Sequence, residues 1–218
     1  NFELKKAISL LINKNEKKIK IKYFDNKTID NIFHHSVKHQ GIVASSYKLK
    51  IKNYLNIFEK KNDLNYGVIL DRITDPNNIG AIYRSARAFG INFIINTHRN
   101  SVFENGTILN AACGAFEDVK TYSTKNISNT LKKFASEGWW TIGLDHDASI
   151  NINSIINKMK DSDKLIFVFG SEGKGIRRLI KNNCNFIARI PNMPNTKSIN
   201  VSNAAAIVFY ENYREKKN

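Results

Sequence analysis

The sequence predicts an α/β fold in which a mostly parallel sheet carries helices on both faces, and three observations support it. From Tyr66 onward, strand-like apolar runs alternate with helix-like runs about every 10 to 15 residues. Such alternation requires crossover connections, and crossovers give parallel neighbours covered on both sides. The run KLIFVFG, residues 164–170, is apolar on both faces, as a central parallel strand should be. At 218 residues and 42% hydrophobic, the chain can bury the core of one large domain, or of a domain with a smaller companion.

In chain order, residues 1–47 are dense in Lys and hold short segments: a helical FELKKAISLLI, an alternating KIKIKYF, then TIDNIF and the apolar run GIVASS. They read as a small α/β module with a basic face. Residues 48–65, KLKIKNYLNIFEKKNDLN, contain no Pro or Gly and end in charge and Asn, which suits a helix or a linker. The main domain then spans 66–218. Its strand candidates are 66–73, 91–97, 118–123, 140–145, 164–170 and 186–191, separated by helical runs such as NIGAIYRSARAFG, ISNTLKKFASEG and GIRRLIKNN. In such sheets ligands bind beyond the carboxyl ends of the strands, so the loops there are where chemistry is expected.

Charge and cysteine content narrow the function classes. A formal net charge of +15 concentrates anionic partners such as nucleic acid, although Lys, Asn and Ile are abundant throughout, as an A+T-rich genome alone would produce. Cys113 and Cys184 stand alone with no CxxC, so reduced thiols in a cytoplasmic setting are expected. No run of about 18 apolar residues predicts a membrane span. His34, His35 and His39 lack a further ligand at zinc spacing, so no metal is expected. The DHD at 145–147 follows a strand, but without a GxSxG partner motif it does not indicate hydrolase chemistry.

Three loops stand out. In DRITDPNNIGAIYRSARAFG, residues 71–90, Pro76 and two Asn open a helix on which Arg84 and Arg87 lie three apart, within reach of an anion; a solvated, Asn-capped helix face accounts for the same residues. In GSEGKG, residues 170–175, the order is neither GxGxxG nor the Walker spacing, which disfavours ATP. Gly170, Gly173 and Gly175 nevertheless permit close approach of a ligand, with Glu172 at the rim, or simply a strand-to-helix turn. In the third loop Pro191 and Pro194 stiffen the chain, Ser198 and Asn200 supply hydrogen-bonding groups, and NVSNAAA keeps a helix start small; capping and tight packing are the alternative.

Together, DPNNIGAIYRSARAFG, FVFGSEGKGI and IPNMPNTKSINVSNAAA resemble, in order and separation, the three signature motifs of the SpoU/TrmH family, S-adenosylmethionine-dependent RNA ribose 2′-O-methyltransferases of the SPOUT superfamily. The resemblance covers about residues 66–212. HQGIVAS, residues 39–45, is similar to the end of the L30e-like RNA-binding domain that precedes the catalytic domain in the 23S rRNA guanosine branch, so residues 1–47 would be a small, partial form of it.

The resemblance implies a carboxyl-terminal deep trefoil knot, an exception to unknotted topology, through which a helix with Ala204 to Ala206 could thread, and a homodimer. It implies that Gly170, Glu172, Gly173, Ile190, Pro191, Ser198, Ile199 and Asn200 bind the cofactor, and that Arg84, Asn78, Glu172, Ser198 and Asn200 serve catalysis. Pro194 stands where the family usually has Gly, and Ile199 where it often has Leu.

Methyl transfer to a ribose hydroxyl needs in-line alignment and a more nucleophilic oxygen. A guanidinium with a pKa above about 12 makes a poor base, so Arg84 is expected to hold the neighbouring phosphate and stabilise the developing alkoxide. The expected substrate is a guanosine in 23S-type rRNA. Alternatives are tRNA ribose methylation and a noncatalytic RNA-binding or ribosome-assembly protein.

Overall fold

Apolar strands frame the main domain. The structure, a computed structural model, describes residues 22–32, 41, 43, 51–59, 64–97, 106–193 and 198–216. The chain divides into two units, Asn1–Lys48 and Leu49–Asn218. In the first, helix α1 (Asn26–Ile32) buries Ile29 and starts where the Asp25 carboxylate accepts from the Thr28 N–H at 2.7 Å. HQGIVAS lies outside the described residues apart from Gly41 and Val43.

The second unit is an eight-stranded sheet. Its strands are β1 (Lys52–Asn53), β2 (Tyr66–Asp71), β3 (Phe93–Thr97), β4 (Lys120–Thr124), β5 (Trp139–Leu144), β6 (Ile150–Asn151), β7 (Lys164–Gly170) and β8 (Phe186–Arg189). They lie in the order β1-β4-β3-β2-β7-β5-β8-β6, and every pairing is parallel. All six strand candidates form. The stretch expected as a helix or linker at 48–65 instead supplies edge strand β1, paired Lys52 to Tyr122, and a 3-10 turn over Tyr54–Ile57. The competing signal was weak, because β1 pairs over only two residues and along one edge.

Alternating side chains along the central strands feed two cores. Val68, Leu70, Leu165, Phe167 and Phe169 face helices α2 (Pro76–Ala88), α3 (Gly106–Ala112), α4 (Ala115–Asp118), α6 (Ile152–Ile156) and α8 (Val201–Glu215). Ile69, Ile166 and Val168 face α5 (Ile127–Ser136), α7 (Arg178–Lys181) and the 3-10 turn. Helices therefore cover both faces, as the apolar pattern of KLIFVFG requires. Among the described residues no helix is long and apolar enough to cross a membrane.

Candidate active site

From β2 the chain builds β3 and β4 on one side of the sheet, whereas β7 and β5 lie on the other, so the carboxyl ends of β2 and β7 border a topological switch point. Asp71 ends β2 opposite Gly170, the end of β7. The Asp71 carboxylate is buried and accepts from Arg177 Nη2 at 2.7 Å, from Nε at 3.0 and 3.1 Å, and from the Arg177 backbone N–H at 3.3 Å. This forked charge-assisted contact locks the end of the glycine loop to the neighbouring strand.

The loop itself is a tight reversal. Ser171 and Gly175 form an antiparallel bridge, the Gly175 N–H donates to the Ser171 carbonyl at 2.8 Å, and Gly173 has φ of 78°. A Cβ at Gly170 would lie 2.0 Å from the Gly175 carbonyl carbon, so glycine there is a steric requirement.

Glu172, carried out by this reversal, joins the three loops. Its Oε1 accepts from Asn78 Nδ2 at 2.7 Å and from Asn200 Nδ2 at 2.8 Å. Asn78 lies in the first turn of α2, where Asp75 caps the helix through the Asn77 N–H at 3.0 Å and accepts from Asn78 Nδ2 at 3.1 Å. Asn200 caps α8, its Oδ1 accepting from the Ser202 N–H at 2.9 Å and the Ser202 hydroxyl at 2.7 Å. Each Asn amide thus uses one end for Glu172, and Asn200 uses the other to start a helix, so residue identity is constrained twice.

Beside this hub opens a cleft of about 730 Å³, including the solvent at its mouth. Of the residues expected at a cofactor, Gly170, Glu172, Gly173, Ile190, Ser198 and Ile199 line it. Pro191 sits between the lining residues Ile190 and Asn192, and Asn78 and Asn200 stand at its edge through Glu172. Arg84 is exposed on α2 and is not part of the lining, and Arg87 is paired with Asp118 at 2.8 Å. Pro194 lies outside the described residues.

Sequence reasoning missed the opposite wall. Leu144 ends β5 and Asp145 and His146 follow it, and Phe169, Val201 and Ala204 complete the apolar surface. The signal was available for the first three, because Leu144 and Asp145 end the expected strand 140–145 and His146 follows it directly. The Asp71–Arg177 lock had none, since nothing in sequence pairs residues so far apart.

Asp145 to Asp147 bring a carboxylate, an imidazole and a second carboxylate within 4.8 Å of one another. Lys181 already pairs with the buried Asp145, which accounts for that charge with a protein cation. His34, His35 and His39 lie outside the described residues. Burial pushes the Cys184 thiol up to about 12, which makes it a poor nucleophile, and burial also raises the Tyr83 phenol, whose hydroxyl meets Thr121 Oγ1 at 2.8 Å.

Comparison with known proteins matches residues 65–210 to the SpoU rRNA Methylase family. The chain is similar to the 23S rRNA (guanosine-2′-O-)-methyltransferase RlmB of Coxiella burnetii, 34% identical over 182 residues that cover 82% of this chain and 71% of the relative. It is similar to an uncharacterized tRNA/rRNA methyltransferase of Borreliella burgdorferi, 37% identical over 171 residues, 77% of this chain and 73% of that one. Among solved structures, the AdoMet-bound rRNA methyltransferase of Sinorhizobium meliloti superimposes with a TM-score of 0.69 at 20% identity, over 87% of this chain and 70% of that one. The SpoU methyltransferase AviRb of Streptomyces viridochromogenes, in complex with AdoMet, gives a TM-score of 0.62 at 22% identity, over 73% of this chain and 60% of that one.

Proposed function

The chain belongs to the SpoU rRNA methylase family, and from that premise we propose that it transfers a methyl group from S-adenosylmethionine to a ribose 2′-hydroxyl of RNA, a guanosine of 23S-type rRNA. The observation that carries this reading is the convergence of Asn78, Glu172 and Asn200 from three separate loops on one carboxylate oxygen beside the cleft at the carboxyl ends of the strands.

The residues present fit the cofactor. Leu144, Phe169, Ile190 and Val201 offer apolar walls for a purine, while Ser198, Asn192 and the backbone of the glycine loop supply polar groups for its edges. Bound there, S-adenosylmethionine supplies an electrophilic methyl on a sulfonium. The chain's own part is to align and activate the acceptor. Glu172, held by two amides, fixes the glycine loop and presents its second oxygen to the ribose. Exposed Arg84 binds the adjoining RNA phosphate and stabilises the alkoxide as it develops, a role that suits a group which keeps its proton. Ser198 completes the hydrogen bonding at the cleft.

The remaining parts of the reading have separate support. A homodimer would cover Ile207 and Tyr210, exposed and one turn apart on α8. The trefoil knot is supported by Ala204 and Ala205, which let α8 pass close to the cleft and core. Residues 1–47 are assigned to an L30e-like RNA-binding domain on the HQGIVAS resemblance, and an rRNA substrate sets the work in the cytoplasm.

The test is transfer of labelled methyl from S-adenosylmethionine into unmodified ribosomal RNA, with ribose-methylation mapping and Arg84→Ala alongside. One 2′-O-methylated site that drops at least about 100-fold in the variant, with cofactor affinity unchanged, is expected. Transfer only into tRNA would move the substrate, and cofactor binding without transfer into any RNA would favour a noncatalytic RNA-binding role.

A further inference from the structure

Two non-glycine residues among those described have a left-handed backbone, Arg72 with φ of 60° and Cys113 with φ of 49°. Cys113 precedes Gly114 in the turn from α3 to α4. Arg72 is placed differently, directly after β2 and one residue beyond the Asp71–Gly170 pairing at the switch point. The left-handed region brings Cβ too near the following carbonyl oxygen, which is why glycine normally fills such positions.

The chain on either side over-determines this conformation. Asp71 is clamped by three donor groups of Arg177, and Ile73 is buried before Asp75 caps α2. The one residue between these anchors must reverse. A left-handed turn there needs no side chain, yet the position carries a long cation that is exposed and has no carboxylate partner among the described residues. Persistent strain beside a functional loop is a feature to be explained by function.

We infer that Arg72 is an RNA-positioning residue, holding a substrate phosphate at the carboxyl end of β2 beside the glycine loop. Its exposure and its absence from the cleft lining direct it to the RNA, away from the cofactor carboxylate. Arg suits phosphate through its planar fork, and a single such contact positions the strand without reading its sequence. The inference rests on the methyl-transfer reading and deepens it.

Arg72→Gly separates strain from charge, because glycine adopts the same backbone without a Cβ. Its thermal midpoint should equal that of the wild type or exceed it by up to about 4 °C. Equilibrium titration with unmodified ribosomal RNA should show Kd raised about 10-fold at low salt, with the slope of log Kd against log salt reduced by about 1. Cofactor affinity should stay within about twofold, and Arg72→Lys should restore the slope and most of the affinity. Unchanged RNA affinity and slope in Arg72→Gly would overturn the inference, as would a parallel loss of cofactor affinity or a lowered midpoint. Arg72-dependent RNA binding without methyl transfer by the wild type would overturn only the methyl-transfer reading, and transfer indifferent to Arg72→Gly would overturn only this one.

Discussion

The layer over one face of the sheet and the loop cluster at its carboxyl end are built from opposite materials. In the layer, Phe134 meets Tyr54, Phe58, Phe93 and Trp139, with ring centroids 5.0 Å away at Phe58, 5.1 Å at Trp139 and 6.0 Å at Phe93. Aromatic side chains bury large areas and gain further from edge-to-face geometry, so this layer contributes strongly to folding free energy. The loop cluster is held by named polar contacts, the Asp71–Arg177 fork and the Glu172 hub. Such contacts add little net stability but fix positions closely. The division separates residues that hold the sheet from those that arrange a reaction, and it makes the two separable by mutation.

The largest effect is expected in the layer. Phe134 is fully buried, so Phe134→Ala should cost about 3–5 kcal/mol by urea unfolding, while methyl transfer per folded molecule stays within about twofold of wild type. A loss of turnover in proportion to stability would show that the layer also tunes the site.

The reverse pattern is expected at the hub. Glu172→Ala removes the shared acceptor of Asn78 and Asn200 from an exposed residue, so kcat/KM should fall about 100-fold, equivalent to about 2.7 kcal/mol, while unfolding stability shifts by less than about 1 kcal/mol. Steady-state transfer kinetics and urea unfolding on the same preparation read both quantities. A stability loss matching the kinetic loss would make Glu172 a loop brace alone.

What could be read from sequence follows the same division. Periodicity depends on burial, so it revealed all six long strands and the two-sided covering of KLIFVFG. It could not reveal β1, because Lys52 and Asn53 are both exposed and pair with β4 along one edge. Asn78, Glu172 and Asn200 were legible as members of separate loops, but their meeting on one oxygen is a tertiary fact that no spacing encodes. The Asp71–Arg177 fork left no mark for the same reason. Arg84 was legible as a helix-face cation, whereas its place outside the cleft lining required the path of α2.

The smallest effect offers a probe of how tightly the layer is closed. Cys184 packs against the aromatic layer, its thiol donates to the Ile180 carbonyl at 3.3 Å, and burial raises its pKa to about 12. At pH 8, four units below that value, only about 10⁻⁴ of it would be thiolate, the form that reacts with an alkylating reagent. Cys113 is exposed. Alkylation followed by peptide mass mapping should therefore label Cys113 and leave Cys184 unmodified in the folded chain. In Phe134→Ala, Cys184 labelling should rise, because loosening the layer it packs against admits water and relieves the desolvation that keeps the thiol neutral. Equal labelling of both cysteines in the wild type would mean that the layer opens on the timescale of the reagent, and the assignment of stability to that face would have to be given up.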